Sequence, residues 1–223
     1  MSKVQEIATA VENGKVKVVA GLVQEALDEG TPAAEILNVG MIGAMAVVGE
    51  KFKNNEIFVP EMLIAARAMK KGIEVLTPAL KAAGAESIGK LILGTVAGDL
   101  HDIGKNLVGM MIEGAGFDVI DLGVDVPAEK FVETIKANPD CHVVGISALL
   151  TTTMPAIKNT IDAIVASGLR DTVKIMIGGA PVTQAFADEV GADGYSEDAA
   201  SAAELAKKLL AEVNGSFSPY SLT

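Results

Sequence analysis

The sequence predicts two parts: an N-terminal four-helix bundle, then an α/β domain built on a parallel, Rossmann-like sheet. Three observations lead there. Up to about residue 84, apolar side chains recur only at helical spacing. From about residue 90, short apolar runs of strand length alternate with helical stretches. Between them, residues 84–90 are small and polar, the composition of a linker. The expected divisions are 1–84, 90–213 and a loosely ordered tail over 214–223.

In the first part, Val4, Ile7, Ala8 and Val11 mark one helix, and Val18, Val19, Leu22, Val23 and Leu27 a second that Gly30 ends. Thr31 is expected to cap the third helix, with Pro32 at its first position and Glu35 in its first turn. That helix runs through Ile36, Val39, Ile42, Gly43 and Ala46 to about Lys53. Pro60 opens the fourth, which carries Met62, Leu63, Ala66, Met69, Ile73 and Leu76. Short connections make these neighbours in a bundle. In the second part, strands are expected at 91–96, 119–122, 143–147 and 175–177, with a weaker fifth at 194–195. Helices fall near 104–115, 127–137, 154–167, 182–190 and 197–213. The alternation implies right-handed crossovers and a parallel sheet covered by helices on both faces. Ligands of such sheets bind outside the carboxyl ends of the strands. Chemistry is therefore sought in the loops after Val96, Leu122, Ser147 and Ile177.

Composition removes several function classes. Half of the residues are hydrophobic, enough to order most of the chain. A formal charge of -11 repels phosphate backbones, so nucleic acid is not an expected partner. Cys141 is the only cysteine, which rules out an intrachain disulfide and a cysteine-built zinc site and suits a reducing compartment. The N-terminal segment mixes charges early and has no apolar signal core. No apolar run reaches the roughly 18 residues a membrane helix needs. The expectation is a cytoplasmic protein without a membrane partner. The nine methionines read as core filler.

The first predicted strand runs into Gly98-Asp99-Leu100-His101-Asp102-Ile103-Gly104-Lys105. A phosphate loop does not fit: one residue too many separates the glycines, and Asn106 stands where Ser or Thr is needed. A metal-dependent phosphohydrolase does not fit either. Its site needs several more histidines, and besides His101 the chain has only His142, at the start of a strand beside Cys141. What remains is an ordered constellation: Asp99-x-His101-x-x-Gly104, then Ser147-Ala148-Leu149, then Gly178-Gly179. Each follows a predicted strand, so all three face one edge of the sheet.

This constellation resembles the signature of base-off/His-on cobalamin-binding proteins. The resemblance extends over about residues 5–213. The stretches AMAVVGEKFKNNEIFVPEMLIAARAMKKGIEVLTPAL and GDLHDIGKNLVGMMIEGAGFDVIDLGVDVPAEKFVE are similar to two groups. One is the corrinoid proteins of methylotrophic methyltransferase systems; the other is the cobalamin-binding region of cobalamin-dependent methionine synthase. The implied fold is a flavodoxin-like cobalamin-binding domain with a helical cap. The implied cofactor is cobalamin, as methylcobalamin and cob(I)alamin, or a related corrinoid. His101 is then the metal ligand, since a loop imidazole can offer a neutral nitrogen to cobalt. Asp99 fixes its tautomer and direction. Gly98, Leu100, Asp102 and Gly104 line the corrin, with Gly104 leaving the helix start unobstructed. Ser147, Gly178 and Gly179 form the slot for the nucleotide tail, which needs small walls, and Leu149 is a further cofactor-binding position. Thr153 matches the hydroxyl that extends Asp99 and His101 into a proton-relay triad, with threonine in place of the serine of the compared member. Thr151 matches another cofactor-contacting hydroxyl, and Phe52 and Val59 match cap positions over the methyl-bearing face.

The resemblance implies a non-catalytic methyl carrier. It takes a methyl group from a substrate:corrinoid methyltransferase and gives it to a second methyltransferase of tetrahydrofolate or thiol type, with a reductive activation protein in attendance. The 84–90 linker would be the hinge for cap movement. Adenosylcobalamin mutases share the histidine signature but not the four-helix cap. A cobalamin-sensing regulatory module shares both, and is the alternative; it usually adds a DNA-binding or signalling domain.

Overall fold

The computed structural model describes residues 2–82 and 87–216. It divides into two compact units, one of residues up to Ile88 with Glu113–Gly116, the other of Gly89–Ile112 and Phe117 onward.

The helical unit contains α1 (Lys3–Glu12), α2 (Val16–Asp28), α3 (Ala33–Lys53) and α4 (Val59–Ala82). Ser2 and Gln5 form a capping box that satisfies the first turn of α1. The expected start of α3 is corrected. Thr31 does not cap it; Pro32 is the N-cap and no side chain bonds the first turn. The reason lies in α2. Gly30 adopts φ +83°, and the Gly30 and Thr31 N–H groups return to Leu27 and Ala26 carbonyls, a Schellman ending that commits Thr31 to the preceding helix.

Helix α3 opens with a short α turn and continues as a π-helical segment over Ile36–Ile42 before returning to α geometry at Gly43, whose N–H donates to the Asn38 carbonyl. The wider turn moves the apolar face. Ile36, Gly40, Met41, Ala44, Met45, Val48 and Gly49 are buried, whereas Val39 is 59 % exposed. The expectation that no stretch is long and apolar enough to span a membrane is also corrected. Ala33–Lys53 is 21 residues with a hydropathy of 1.4, sufficient by length and composition alone, although its inner face packs in the bundle. Met62, Ala65, Ala66, Ala68, Met69 and Leu76 of α4 complete that core. At Gly72 a β-carbon would lie 2.5 Å from Met41 and 2.8 Å from Val19, so the missing side chain is what lets α4 lie this close to them.

The second unit is a five-stranded, all-parallel sheet in the order β2-β1-β3-β4-β5. Its strands are β1 (Lys90–Thr95), β2 (Asp118–Asp121), β3 (Cys141–Ser147), β4 (Lys174–Gly178) and β5 (Gly194–Ser196). The helices are α5 (Ile103–Gly114), α6 (Ala128–Ala137), α7 (Met154–Ala166), α8 (Gln184–Val190) and α9 (Ala199–Ser216). The tail expected from 214 starts inside α9; residues 83–86 and 217–223 lie outside the described residues.

Side chains of a strand alternate between faces. Ile92, Val144, Ile146, Ile175 and Ile177 point one way and pack with Phe131 and Ile135 of α6 and Ile157, Ile161 and Ile164 of α7. Each such side chain contributes roughly 2 kcal/mol of burial. Gly94 admits the Phe131 ring, which a β-carbon would meet at 2.7 Å. The opposite face carries Leu91, Leu93, Val143 and Met176, with small residues at Gly145, Ser147, Gly178, Gly194 and Ser196. There Leu93 touches Gly109 of α5, and Leu205 of α9 lies against Gly194. The strand order reverses between β1 and β3, so their carboxyl ends frame the crevice of the fold.

Candidate functional site

The chain leaves β1 through Val96, whose N–H donates to the Ser147 carbonyl. It then turns through Gly98 at φ +80°, a left-handed conformation that glycine adopts without strain. This turn delivers Asp99 inward, fully buried, and His101 outward, with its side chain 49 % exposed.

Every position around the Asp99 carboxylate is used. Oδ1 accepts the His101 backbone N–H at 3.1 Å and faces His101 Nδ1 at 2.7 Å. Oδ2 accepts the Leu149 N–H at 2.7 Å, the Leu150 N–H at 3.3 Å and the Thr153 hydroxyl at 2.7 Å. Burial alone would raise the Asp99 carboxyl; the bonds from Thr153, Leu149 and His101 overcome it and hold the group well below the ordinary carboxylate range. Asp99 is therefore an anion at neutral pH, and the proton it faces belongs to His101 Nδ1. Nε2 makes no hydrogen bond to another described residue and points from an exposed ring, and in the tautomer that donates Nδ1–H to Asp99 it carries the lone pair. The loops after β1 and β3 thus converge on one carboxylate, and Asp99, His101 and Thr153 form a continuous hydrogen-bonded chain.

The surroundings of the imidazole are apolar and open. Leu100 is 71 % and Ile103 80 % exposed, and Leu149 and Leu150 also stand out into solvent. A β-carbon at Gly104 would meet nothing within 4 Å. Asp102 is exposed and takes a bond from Asn106 in the first turn of α5, and Thr151 is exposed beside Leu150.

Ser147 and Gly178 are paired in register, with Thr95 beyond Ser147 and Ser196 beyond Gly178. This makes a rung of small residues across the carboxyl edge of four strands. Gly179 does something different. Its φ is +124°, and a β-carbon there would fall 1.8 Å from the Ala148 carbonyl oxygen. Its missing side chain lets two backbones approach closely. In the helical unit, Phe52 is half-buried and Val59 exposed, next to the more exposed Phe58.

Three contributors are absent from the sequence reading. Thr95 donates its hydroxyl to the His101 carbonyl at 3.0 Å. Lys105, almost wholly buried, places Nζ 2.6 Å and 2.5 Å from the two Asp121 carboxylate oxygens and 2.7 Å from Asn106 Oδ1. Asp125 bonds the turn before His101 from the neighbouring loop. The signal for the lysine was its place directly after Gly104, in the first turn of a helix, where a cation opposes the helix dipole and needs a partner.

Comparison with known proteins gives matches over both units. Two models described as a B12 binding domain match the chain, one over residues 89–204 and the other over residues 4–77. A dimethylamine corrinoid protein of Methanosarcina acetivorans is 45 % identical over 208 residues, covering 93 % of this chain and 97 % of the relative. A corrinoid protein of Desulfitobacterium hafniense is 43 % identical over 213 residues, covering 94 % and 98 %. Among solved structures, the methanol:cobalamin methyltransferase complex from Methanosarcina barkeri superposes with a TM-score of 0.82 at 30 % identity, covering 98 % of this chain and 85 % of that one.

Proposed function

The chain belongs to the corrinoid-binding proteins of methyltransferase systems, and from that premise we propose that it is a methyl carrier whose cobalamin is held base-off, with His101 as the lower ligand to cobalt. The observation that carries the reading is the aim of one ring. A buried, ionised Asp99 occupies Nδ1 of His101 and leaves Nε2 free at the surface, the arrangement a metal-ligating histidine requires.

The residues present fit the group. A flat macrocycle with an apolar underside would rest on Leu100, Ile103, Leu149 and Leu150, and the open space at Gly104 would admit its edge. Ser147 and Gly178 offer the small rung beside which a displaced nucleotide tail would run, with the Ser147 hydroxyl able to bond its base. Gly98, Asp102 and Thr151 border the same loops. Gly179 would act indirectly, by holding the loop after β4 against Ala148. Phe52 and Val59 are assigned to the face of the cap that shields the methyl group.

When bound, the corrinoid supplies a cobalt centre that accepts and releases a methyl group. The chain supplies ligation, orientation and a place for a proton. His101 would hold the cobalt through Nε2, and Asp99, bonded at Nδ1, would keep the ring in that orientation and join it to a hydrogen-bonded chain along which a proton could be relayed. Thr153 keeps Asp99 in line by donating to its far oxygen. The partners are assigned as a substrate:corrinoid methyltransferase on one side, a second methyltransferase of tetrahydrofolate or thiol type on the other, and a reductive activation protein.

The test is spectroscopic. Cobalamin is added to the purified protein and the absorption spectrum recorded beside that of His101→Ala. The wild type is expected to lose the signature of its own base and gain one that His101→Ala lacks. A wild-type spectrum that keeps the nucleotide base on the metal refutes His-on binding.

A further inference from the structure

We infer that Asp125, in the loop between β2 and α6, is a positioning residue for His101: it holds the turn that aims the imidazole, and so tunes how firmly the histidine engages a corrinoid. The inference rests on the reading of His101 as the metal ligand.

Its backbone is the first observation. Among the described residues, Asp125 and Asn55 are the two non-glycine positions with positive φ, at 52° and 57°. A left-handed backbone is unfavourable for a side-chain-bearing residue, and aspartate tolerates it when its short polar side chain finds a hydrogen bond. The second observation is where that bond goes. Asp125 Oδ1 accepts the Gly98 N–H at 2.7 Å, across 27 residues of sequence. The third is that its own N–H donates to the Asp99 carbonyl at 2.9 Å. One residue therefore grips the peptide before Gly98 and the peptide after Asp99.

The grip falls where the chain has least support of its own. Gly98 is left-handed and contributes no side chain, and its β-carbon position has only the Thr153 methyl nearby, at 3.8 Å. Inside the turn, Asp99 N–H reaches back to Val96 and Thr95 Oγ1 reaches forward to the His101 carbonyl. Asp125 adds the brace from outside. Its loop is in turn sewn to β1, because Thr95 N–H donates to Gly123 and Val126 N–H to Thr95. The loop start is fixed by Asp121, which accepts the Gly123 N–H and the Lys105 ammonium. A shift of Asp125 would be passed through two peptide groups to the residue that orients His101.

Asp125→Asn, Asp125→Gly and Asp125→Ala separate the backbone from the carboxylate. Asparagine keeps an oxygen for Gly98 and tolerates left-handed geometry; glycine keeps only the geometry; alanine keeps neither. Each variant is saturated with cobalamin, and the ratio of His-ligated to unligated spectrum is read against wild type and His101→Ala. We expect Asp125→Ala to lower that ratio about fivefold, the worth of one modest hydrogen bond. Asp125→Gly falls between, and Asp125→Asn stays within about twofold of wild type. If the alanine variant does not fold, the glycine and asparagine pair decides: equal ratios in both overturn the inference. If wild type is His-ligated and Asp125→Ala matches it, the positioning role is overturned while His101 ligation stands. If wild type shows no His-ligated spectrum, ligation by His101 fails and the inference fails with it.

Discussion

Two loops meet at the same edge of the sheet and are fixed by opposite means. The loop after β1 is fixed by what its side chains accept: Asp99 takes hydrogen bonds from the loop after β3 and from His101, and Thr95 and Asp125 brace the turn around it. The loop after β4 is fixed by what its residues lack: Gly178 and Gly179 bring backbone against backbone. The first kind of loop can be weakened by degrees, one bond at a time. The second fails when a single methyl group is added. The contrast would suit the proposed parts: a histidine that holds a metal gains from a mount adjustable by degrees, whereas the loop after β4 needs only a shape.

The sharpest way to break this comparison is Gly179→Ala. The new β-carbon would lie 1.8 Å from the Ala148 carbonyl oxygen, and φ +124° is strained for any L side chain. Neither side can yield, because both are backbone. We expect a loss of about 4 kcal/mol or more in urea unfolding, with the sheet edge disordered. A loss below about 1 kcal/mol would show that the loop after β4 is pliable after all.

Next in size is Asp99→Asn. Asparagine sets an amide NH2 against donors that now share one carboxylate, so one or more buried donors go unpaired. The expected cost is about 3 kcal/mol in urea unfolding, together with loss of the His-ligated spectrum. The pH dependence has a definite sign. The folded-state carboxyl sits well below its unfolded value of about 3.9, so its stabilisation is complete above that pH and is lost as the pH falls through the acid range below it. Wild type should therefore lose stability more steeply than Asp99→Asn between about pH 4 and pH 2. Parallel acid-unfolding curves for the two would break the claim.

What was legible in the sequence follows the same division. Strands buried on both faces read as apolar runs, and Val143, Val144 and Ile146 are such a run. The pairing of Asp99 with His101 was legible because both lie in one short loop. The link from Asp99 to Thr153 was accessible only through the family resemblance, since 54 residues separate them. Asp125 was invisible for two reasons: its partner is 27 residues away, and its role depends on a positive φ that aspartate adopts without announcing it. Gly179 is legible as special, but the sequence does not say which neighbour demands it; the structure shows the Ala148 backbone there. In the helical unit, the apolar spacing of α3 reads at 3.6 residues per turn. The π segment breaks that count, so Val39 faces outward and Gly40 and Met41 inward. Thr31 misled because a residue that caps one helix by composition can end another by its backbone.

A smaller effect is expected at Lys105, which joins the start of α5 to the end of β2. Lys105→Met keeps most of the buried stem and removes the ammonium. Asp121 is left without it but is 45 % exposed, so water can replace the lost partner and a deep orphaned charge is not created. We expect a loss of about 1–2 kcal/mol in urea unfolding. The His-ligated spectrum should persist, because the bonds to Asp99 do not pass through Lys105 and the loop of Asp125 keeps its ties to β1 through Gly123 and Val126. A cost as large as that of Asp99→Asn would show that the mount is less local than its hydrogen bonds suggest.

The smallest effect on stability is also the most diagnostic, because its sign is opposite to its effect on binding. Gly104 lies in the first turn of α5 with nothing within 4 Å of its β-carbon position and no positive φ, so nothing in the folded protein requires a glycine. On helix propensity alone, Gly104→Ala should stabilise the protein by about 0.5 kcal/mol, read as a rise in urea midpoint. If the open space exists to admit the edge of a corrinoid seated on Leu100, Ile103 and Leu149, the same methyl group should weaken cobalamin binding about tenfold, measured by titration of the cobalamin spectrum. A variant that is more stable and binds equally well would remove Gly104 from the binding surface. One that is more stable and binds less well would mark a position where the chain accepts a weaker helix to keep room for its cofactor.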